Sequence, residues 1–167
     1  MAKHKRKNGQ SRPVLSIAAF CTRFLDGSDG CFSAIRLLDQ LYFRTPVGYK
    51  PGDRLDISFW ALIEFRSRTF KAGELTGRHT MHLVMRNPEG KSKPGQDFSI
   101  DLLENATAFN FRIKMNWKIK SEGVWWVDVL LDGRPYAKMP LRIVFLPSTE
   151  TSQLAPPEEP SSSLKVQ

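Results

Sequence analysis

The feature that most constrains this chain is the stretch 109–120. Phe109, Phe111, Ile113, Met115, Trp117 and Ile119 alternate there without a break with Asn110, Arg112, Lys114, Asn116, Lys118 and Lys120. Successive side chains of a strand point to opposite faces, so this pattern has one dry face and one wet face, and it has no 3.6-residue repeat for a helix to use. It reads as a long strand of an antiparallel sheet, the kind that can face water on one side. The same period governs 54–66, where Leu55, Ile57, Phe59, Ala61, Ile63 and Phe65 alternate with Asp56, Ser58, Trp60, Leu62, Glu64 and Arg66, and it returns in Trp125, Val127, Val129 and Leu131. No segment carries a helical stripe; 102–108 has room for a single helical turn.

Turn residues punctuate the alternation. Asp26-Gly27-Ser28-Asp29-Gly30 separates two β-rich runs, and Asn87-Pro88-Glu89-Gly90 places Pro where a type I turn wants φ near about −65°. Asp132-Gly133 is a strong hairpin signal. Pro140 cannot donate a ladder hydrogen bond, which predicts an edge or a bulge for the last strand. The result is about eight strands, at 14–23, 31–43, 54–66, 76–86, 97–103, 109–120, 124–131 and 135–146. Short strands, turn signals and two-faced patterning predict an all-β fold: a single antiparallel β-sandwich of the immunoglobulin-like kind.

The ends differ from the middle. Residues 1–12 are polar and basic, and 148–167 are rich in Ser, Thr, Pro and Glu. Neither buries enough apolar surface to offset its ordering entropy, so both are expected to be disordered around one domain at 13–147. The length of 167 residues suits one domain. The net charge of +8 owes much to the leader, where Lys3, Lys5, Arg6, Lys7 and Arg12 stand with no acid among them. The apolar runs are too short for a membrane-spanning helix.

The basic leader followed by Val14–Cys21 imitates a short export signal, but Phe20 stands where a lipoprotein-type site takes a small residue before its Cys. The chain is therefore expected to be cytoplasmic, with Cys21 and Cys31 as reduced, mostly buried thiols.

Several of these segments together resemble a family of bacterial β-sandwich domains of unassigned function. The likeness is carried by Phe20-Cys21-Thr22-Arg23 leading into Ser33–Asp39, by Asn87-Pro88-Glu89-Gly90, by Gly123-Val124-Trp125-Trp126-Val127-Asp128-Val129-Leu130-Leu131-Asp132-Gly133, and by Pro140-Leu141-Arg142-Ile143-Val144. These motifs are turns, a core strand and a closing hairpin. The resemblance implies a fold and no catalytic or ligand-binding residues.

There is no nucleophile elbow, P-loop or dinucleotide fingerprint. His79 and His82 are three apart, which on a strand sends them to opposite faces: His79 to the drier and His82 to the wetter. No metal, cofactor or small-molecule substrate is expected. Asp26, Asp29, Asp53 and Asp132 fall in turns that favour Asp for backbone reasons. Asp39 and Asp128 do not, and each is expected to pair with an Arg on a neighbouring strand.

Two features remain. Trp60 and Leu62 on one strand, and Trp126 and Leu130 on another, point outward where Lys or Thr would be ordinary; on neighbouring strands they would form an apolar patch. The first expectation is thus a non-catalytic interaction module that binds a protein partner or itself. The alternative is sequence-tolerant binding of nucleic acid or another polyanion by the Lys3, Lys5, Arg6 and Lys7 arm and the Arg112, Lys114, Lys118 and Lys120 row. A third reading is an enzyme whose site is assembled from distant loops.

Overall fold

The computed structural model describes residues 12–148. The arm residues Lys3, Lys5, Arg6 and Lys7 lie outside the described residues, as do all but Ser148 of the expected tail. Nine strands run in chain order: β1 (Val14–Asp26), β2 (Phe32–Leu38), β3 (Gln40–Arg44), β4 (Leu55–Arg66), β5 (Gly77–Arg86), β6 (Ser92–Leu102), β7 (Ala108–Ile119), β8 (Gly123–Leu131) and β9 (Arg134–Leu146). They form a four-stranded sheet, β2-β1-β4-β7, and a five-stranded sheet, β3-β9-β8-β5-β6. The fold is an all-β, immunoglobulin-like sandwich. The described residues contain no helix long and apolar enough to cross a membrane.

The dry faces identified from the alternation meet in one core. Leu55, Ile57, Phe59, Ala61, Ile63 and Phe65 of β4 are all buried, as are Trp125, Val127, Val129 and Leu131 of β8. Aromatic pairs cross between the sheets. Trp117 of β7 lies 5.8 Å from Trp125 of β8, and Phe65 of β4 meets Tyr136 of β9 edge-on at 5.1 Å. Phe59, Phe20 and Trp117 pack edge to face within the first sheet. Such offset and perpendicular contacts suit the ring quadrupoles and add to the burial of large apolar area.

Three expectations need correction. The run 31–43 is not one strand: it bends at Asp39 into β2 and β3, which join different sheets. Arg36, opposite the Thr22 gap in the β1–β2 ladder, has φ 51°, and the Asp39 carbonyl accepts the Arg142 amide at 2.9 Å, so the chain is captured by β9 as it turns. The sheets are also not wholly antiparallel, because β3 runs parallel to β9. Strand β6 likewise starts at Ser92, earlier than expected.

The turn assignments agree with the geometry. Asp132 (φ 50°) and Gly133 (φ 73°) both occupy the left-handed region, as a two-residue I′ hairpin turn demands. Both prolines of β9 fall where no ladder donor is wanted. Pro135 sits at the irregularity opposite Leu130, and Pro140 precedes the parallel ladder to β3, which starts at Arg142.

Candidate functional site

The four outward apolar residues do not form one patch. Trp60 and Leu62 lie on β4 in the four-stranded sheet, whereas Trp126 and Leu130 lie on β8 in the other, so the two pairs occupy opposite outer faces of the sandwich. The first pair is largely covered. Leu62 is only 4% exposed, and Trp60 packs edge-on against Phe24, which meets Phe32 in turn. Arg112 closes this cluster, its guanidinium 5.9 Å from Phe24 and 5.1 Å from Phe32. Trp126 is half-exposed beside Arg86 and Pro140 in register.

The basic row of β7 also divides. Arg112 pairs with Asp26, so its charge is spent on the outer aromatic cluster. Lys114 stands opposite Trp60, and Lys118 stands opposite Asp56. Lys118 and Lys120, however, reach the end of the sandwich, where they join Arg54, Lys91 and Lys93 around a groove of about 670 Å³. Among the described residues the one carboxylate lining it, Glu89, is held by Lys91 at 2.9 Å. That contact lowers the Glu89 pKa and raises that of Lys91, through the hydrogen bond first and then the charge.

Local structure explains why these cations converge. Gly123 (φ 124°) lets the β7–β8 turn press against the β5–β6 turn so closely that an added Cβ would lie 3.0 Å from the Pro88 ring. The Asn87-Pro88-Glu89-Gly90 turn is itself tied by the Gly90 amide to the Asn87 carbonyl at 2.9 Å, and by the Lys91 amide to Asn87 Oδ1 at 2.7 Å. Lys93 then bridges the two sheets: its Nζ donates to the Lys118 carbonyl at 3.2 Å and lies 5.6 Å from the Trp125 ring centroid. Lys118 and Lys120 are legible as a charged face of one strand. Arg54, Lys91 and Lys93 come from elsewhere in the chain and carried no sequence signal.

The titratable groups singled out from the sequence have structural partners. His79 is buried, with Nδ1 2.8 Å from Asp132 Oδ2 and Nε2 2.8 Å from the Leu75 carbonyl. His82 is on the wetter side and pairs with Asp97. Asp128 pairs with Arg86 across β8 and β5 at 2.6 Å, as expected. Asp39 instead caps the β2–β3 bend through its carbonyl. Cys21 is buried but Cys31 is exposed, which corrects the expectation for the second thiol. Among the described residues, no three His, Cys, Asp or Glu side chains gather as metal ligands.

No protein-family model and no curated protein matches the chain. Among solved structures, it is similar to an immunoglobulin-like protein from Pseudomonas aeruginosa, at 12% identity and a TM-score of 0.39, over 82% of this chain and 100% of that one. It is also similar to a β-glucosidase from Listeria innocua, at 9% identity and a TM-score of 0.40, over 75% of this chain but 16% of the enzyme. The third is the Pseudomonas fluorescens alkylpurine DNA glycosylase AlkC, at 14% identity and a TM-score of 0.34, over 63% of this chain and 27% of that one. Likeness at this level carries no argument about function.

Proposed function

We propose that the protein is a non-catalytic binding module whose ligand is a nucleic acid, held by charge rather than by sequence in the groove at the end of the sandwich. The observation that carries this reading is the gathering of Arg54, Lys91, Lys93, Lys118 and Lys120 around a single carboxylate that is already paired. A polyanion entering such a groove releases condensed counterions, which is the main source of sequence-independent affinity. The basic arm, Lys3, Lys5, Arg6 and Lys7, adds contacts to the same ligand, and the setting is the cytosol. A protein partner or a second copy of the chain is the weaker reading, because it rested on Trp60, Leu62, Trp126 and Leu130 sharing one face.

Anisotropy of a labelled single-stranded oligonucleotide against the full chain, repeated over a range of salt, tests the proposal. Binding weakens steeply with salt, and Lys118→Gln and Lys120→Gln each shorten the log–log slope by roughly 0.7. Lys138→Gln removes the same charge outside the groove and leaves the slope unchanged. Equal effects from Lys118→Gln and Lys138→Gln would show that net charge, not the groove, does the binding. No binding at low salt would refute the proposal.

A further inference from the structure

A second depression, of about 540 Å³, lies on the outer face of the five-stranded sheet and shares no lining residue with the basic groove. Its walls are apolar: Val84 of β5, Leu130 of β8, and Pro135 and Ala137 of β9. The irregularity that sets Pro135 opposite Leu130 bends β9 here, as the extra residue of a bulge does. Tyr136 of β9, whose ring meets Phe65, and three charged residues complete the lining. Asp128 stands in the middle, opposite Val84 on one side and Lys138 on the other, and Arg86 lies two residues further along β5, on the same face as Val84.

Asp128 is the informative group. It is 8% exposed, its Oδ2 accepts Arg86 Nε at 2.6 Å, and its Oδ1 is shut off from water with no partner among the described residues. A buried carboxylate oxygen without a donor costs stability, and a residue retained at that cost asks for a role. Here the role is visible in what it holds. Arg86 has five N–H donors, of which Nε alone is committed to Asp128, and its side chain is 44% exposed at the depression. The carboxylate pins one edge of the guanidinium and leaves the planar fork of Nη groups for a ligand. Lys138 adds a second cation at the same mouth.

We propose that this depression binds a small aliphatic monocarboxylate, its carboxylate on the Arg86 fork and Lys138, and its alkyl body against Val84, Leu130, Pro135 and Ala137. The two cations and Asp128 leave one net positive charge, which a monoanion neutralises and a phosphate dianion overshoots. The flat, two-pronged guanidinium matches a carboxylate in shape. A small pocket of mainly apolar lining with a few convergent polar groups is the usual form of an organic-ligand site.

The test is an amide NMR titration of the full chain with 4-methylpentanoate, following Asp128, Leu130 and Ala137. Two controls divide the ligand: 4-methylpentan-1-ol keeps the alkyl body, and inorganic phosphate keeps a negative charge. The carboxylate gives saturable shifts with an affinity of about millimolar, and each control binds at least about tenfold more weakly. Arg86→Lys keeps the charge, loses the fork, and weakens binding about tenfold. Because changes at Arg86 disturb a buried partner, Lys138→Gln, at an exposed position, is the second variant; it weakens binding several-fold while the fold stays intact.

Equal binding of the alcohol would reduce the depression to an apolar hollow, and equal binding of phosphate to a patch of charge; either overturns the proposal. So does carboxylate binding indifferent to Lys138→Gln, or no saturable shift at all. Lys118→Gln leaves this titration unchanged, so failure here and failure of the nucleic-acid reading are told apart.

Discussion

Asp132 reaches back from the β8–β9 turn to hold His79, with Oδ2 2.8 Å from Nδ1, while its Oδ1 accepts the Thr80 amide at 2.9 Å. The other ring nitrogen of His79 meets the Leu75 carbonyl at 2.8 Å, and its face stacks on Phe109 at 5.7 Å. One residue thus serves three ends: it forms the hairpin turn at φ 50°, bonds the edge of β5, and locks a buried imidazole against both the segment before β5 and the opposing sheet.

That arrangement sets an order of cost at these two positions. Asn tolerates the left-handed region and keeps an acceptor for Thr80, so Asp132→Asn loses about 1 kcal/mol. Asp132→Val adds backbone strain of about 1 to 3 kcal/mol at a φ that β-branched residues avoid. His79→Phe keeps the stack but strands the Leu75 carbonyl, a loss of about 1 to 3 kcal/mol. Urea unfolding of the three variants checks the ranking; a Val variant as stable as the Asn variant would refute it.

Arg112 makes an ion pair and two cation–π contacts at once, and magnitudes say which matters. Its partner Asp26 has a side chain 75% exposed, where a pair contributes at most about 1 kcal/mol and is screened by salt. The guanidinium over both Phe24 and Phe32 is the larger contribution. Arg112→Ala is therefore expected to cost more than Asp26→Asn, and the excess to persist at high salt. A difference that vanishes in 1 M salt would assign the whole effect to the ion pair.

The legible and illegible parts of this fold divide by distance. Alternation along β4, β7 and β8 reported correctly which side chains face the core, because each strand's two faces differ in chemistry over its whole length. The same alternation could not report which sheet a strand joins, so it left open whether Trp60 and Trp126 share a face; they lie on opposite ones. The β2–β3 bend carried no Gly or Pro; it depends on Arg36 taking a left-handed φ and on Arg142, far along the chain, receiving the Asp39 carbonyl. The groove was half visible for the same reason. Lys118 and Lys120 share a strand face, whereas Lys91 and Lys93 meet them where Gly123 brings two turns together, and Arg54 arrives through the β4–β7 ladder beside the Leu55–Ile119 pair.

Acid sensitivity has a definite sign. Glu74 is held below its ordinary pKa of 4.5 by hydrogen bonds from the Thr69 hydroxyl and then the Thr69 amide, and Asp101 below 3.8 by its hydrogen bond with Arg78. Asp29 is lowered by the Cys31 amide. A carboxylate with a depressed folded pKa contributes stability above its unfolded value, and that contribution is lost as pH falls through the folded one. Stability is thus expected to hold at neutral pH and to decline below about pH 4.5 as these groups take up protons. Glu74→Gln, measured by thermal unfolding across that range, flattens the decline. A variant that steepens it would reverse the assignment.

The two thiols are expected to behave as different chemical species. Burial pushes the Cys21 thiol up from its ordinary pKa of 9.0, against a smaller opposing hydrogen bond with the Arg23 backbone, so it stays protonated as well as covered. Cys31 is exposed just after the Asp26–Gly30 turn. Since the thiolate is the nucleophile, a disulfide reagent at neutral pH labels Cys31 quickly, and labels Cys21 only as fast as the sheet opens. Cys31→Ser removes the fast phase with a stability change within about 0.5 kcal/mol. Cys21→Ser places a hydroxyl in a site with no solvent exposure, costs about 1 to 3 kcal/mol, and removes the slow phase. Denaturant accelerates the slow phase in step with unfolding. Two thiols reacting together in the native protein would mean that β1 opens at Cys21 far more readily than its burial between β2 and β4 allows.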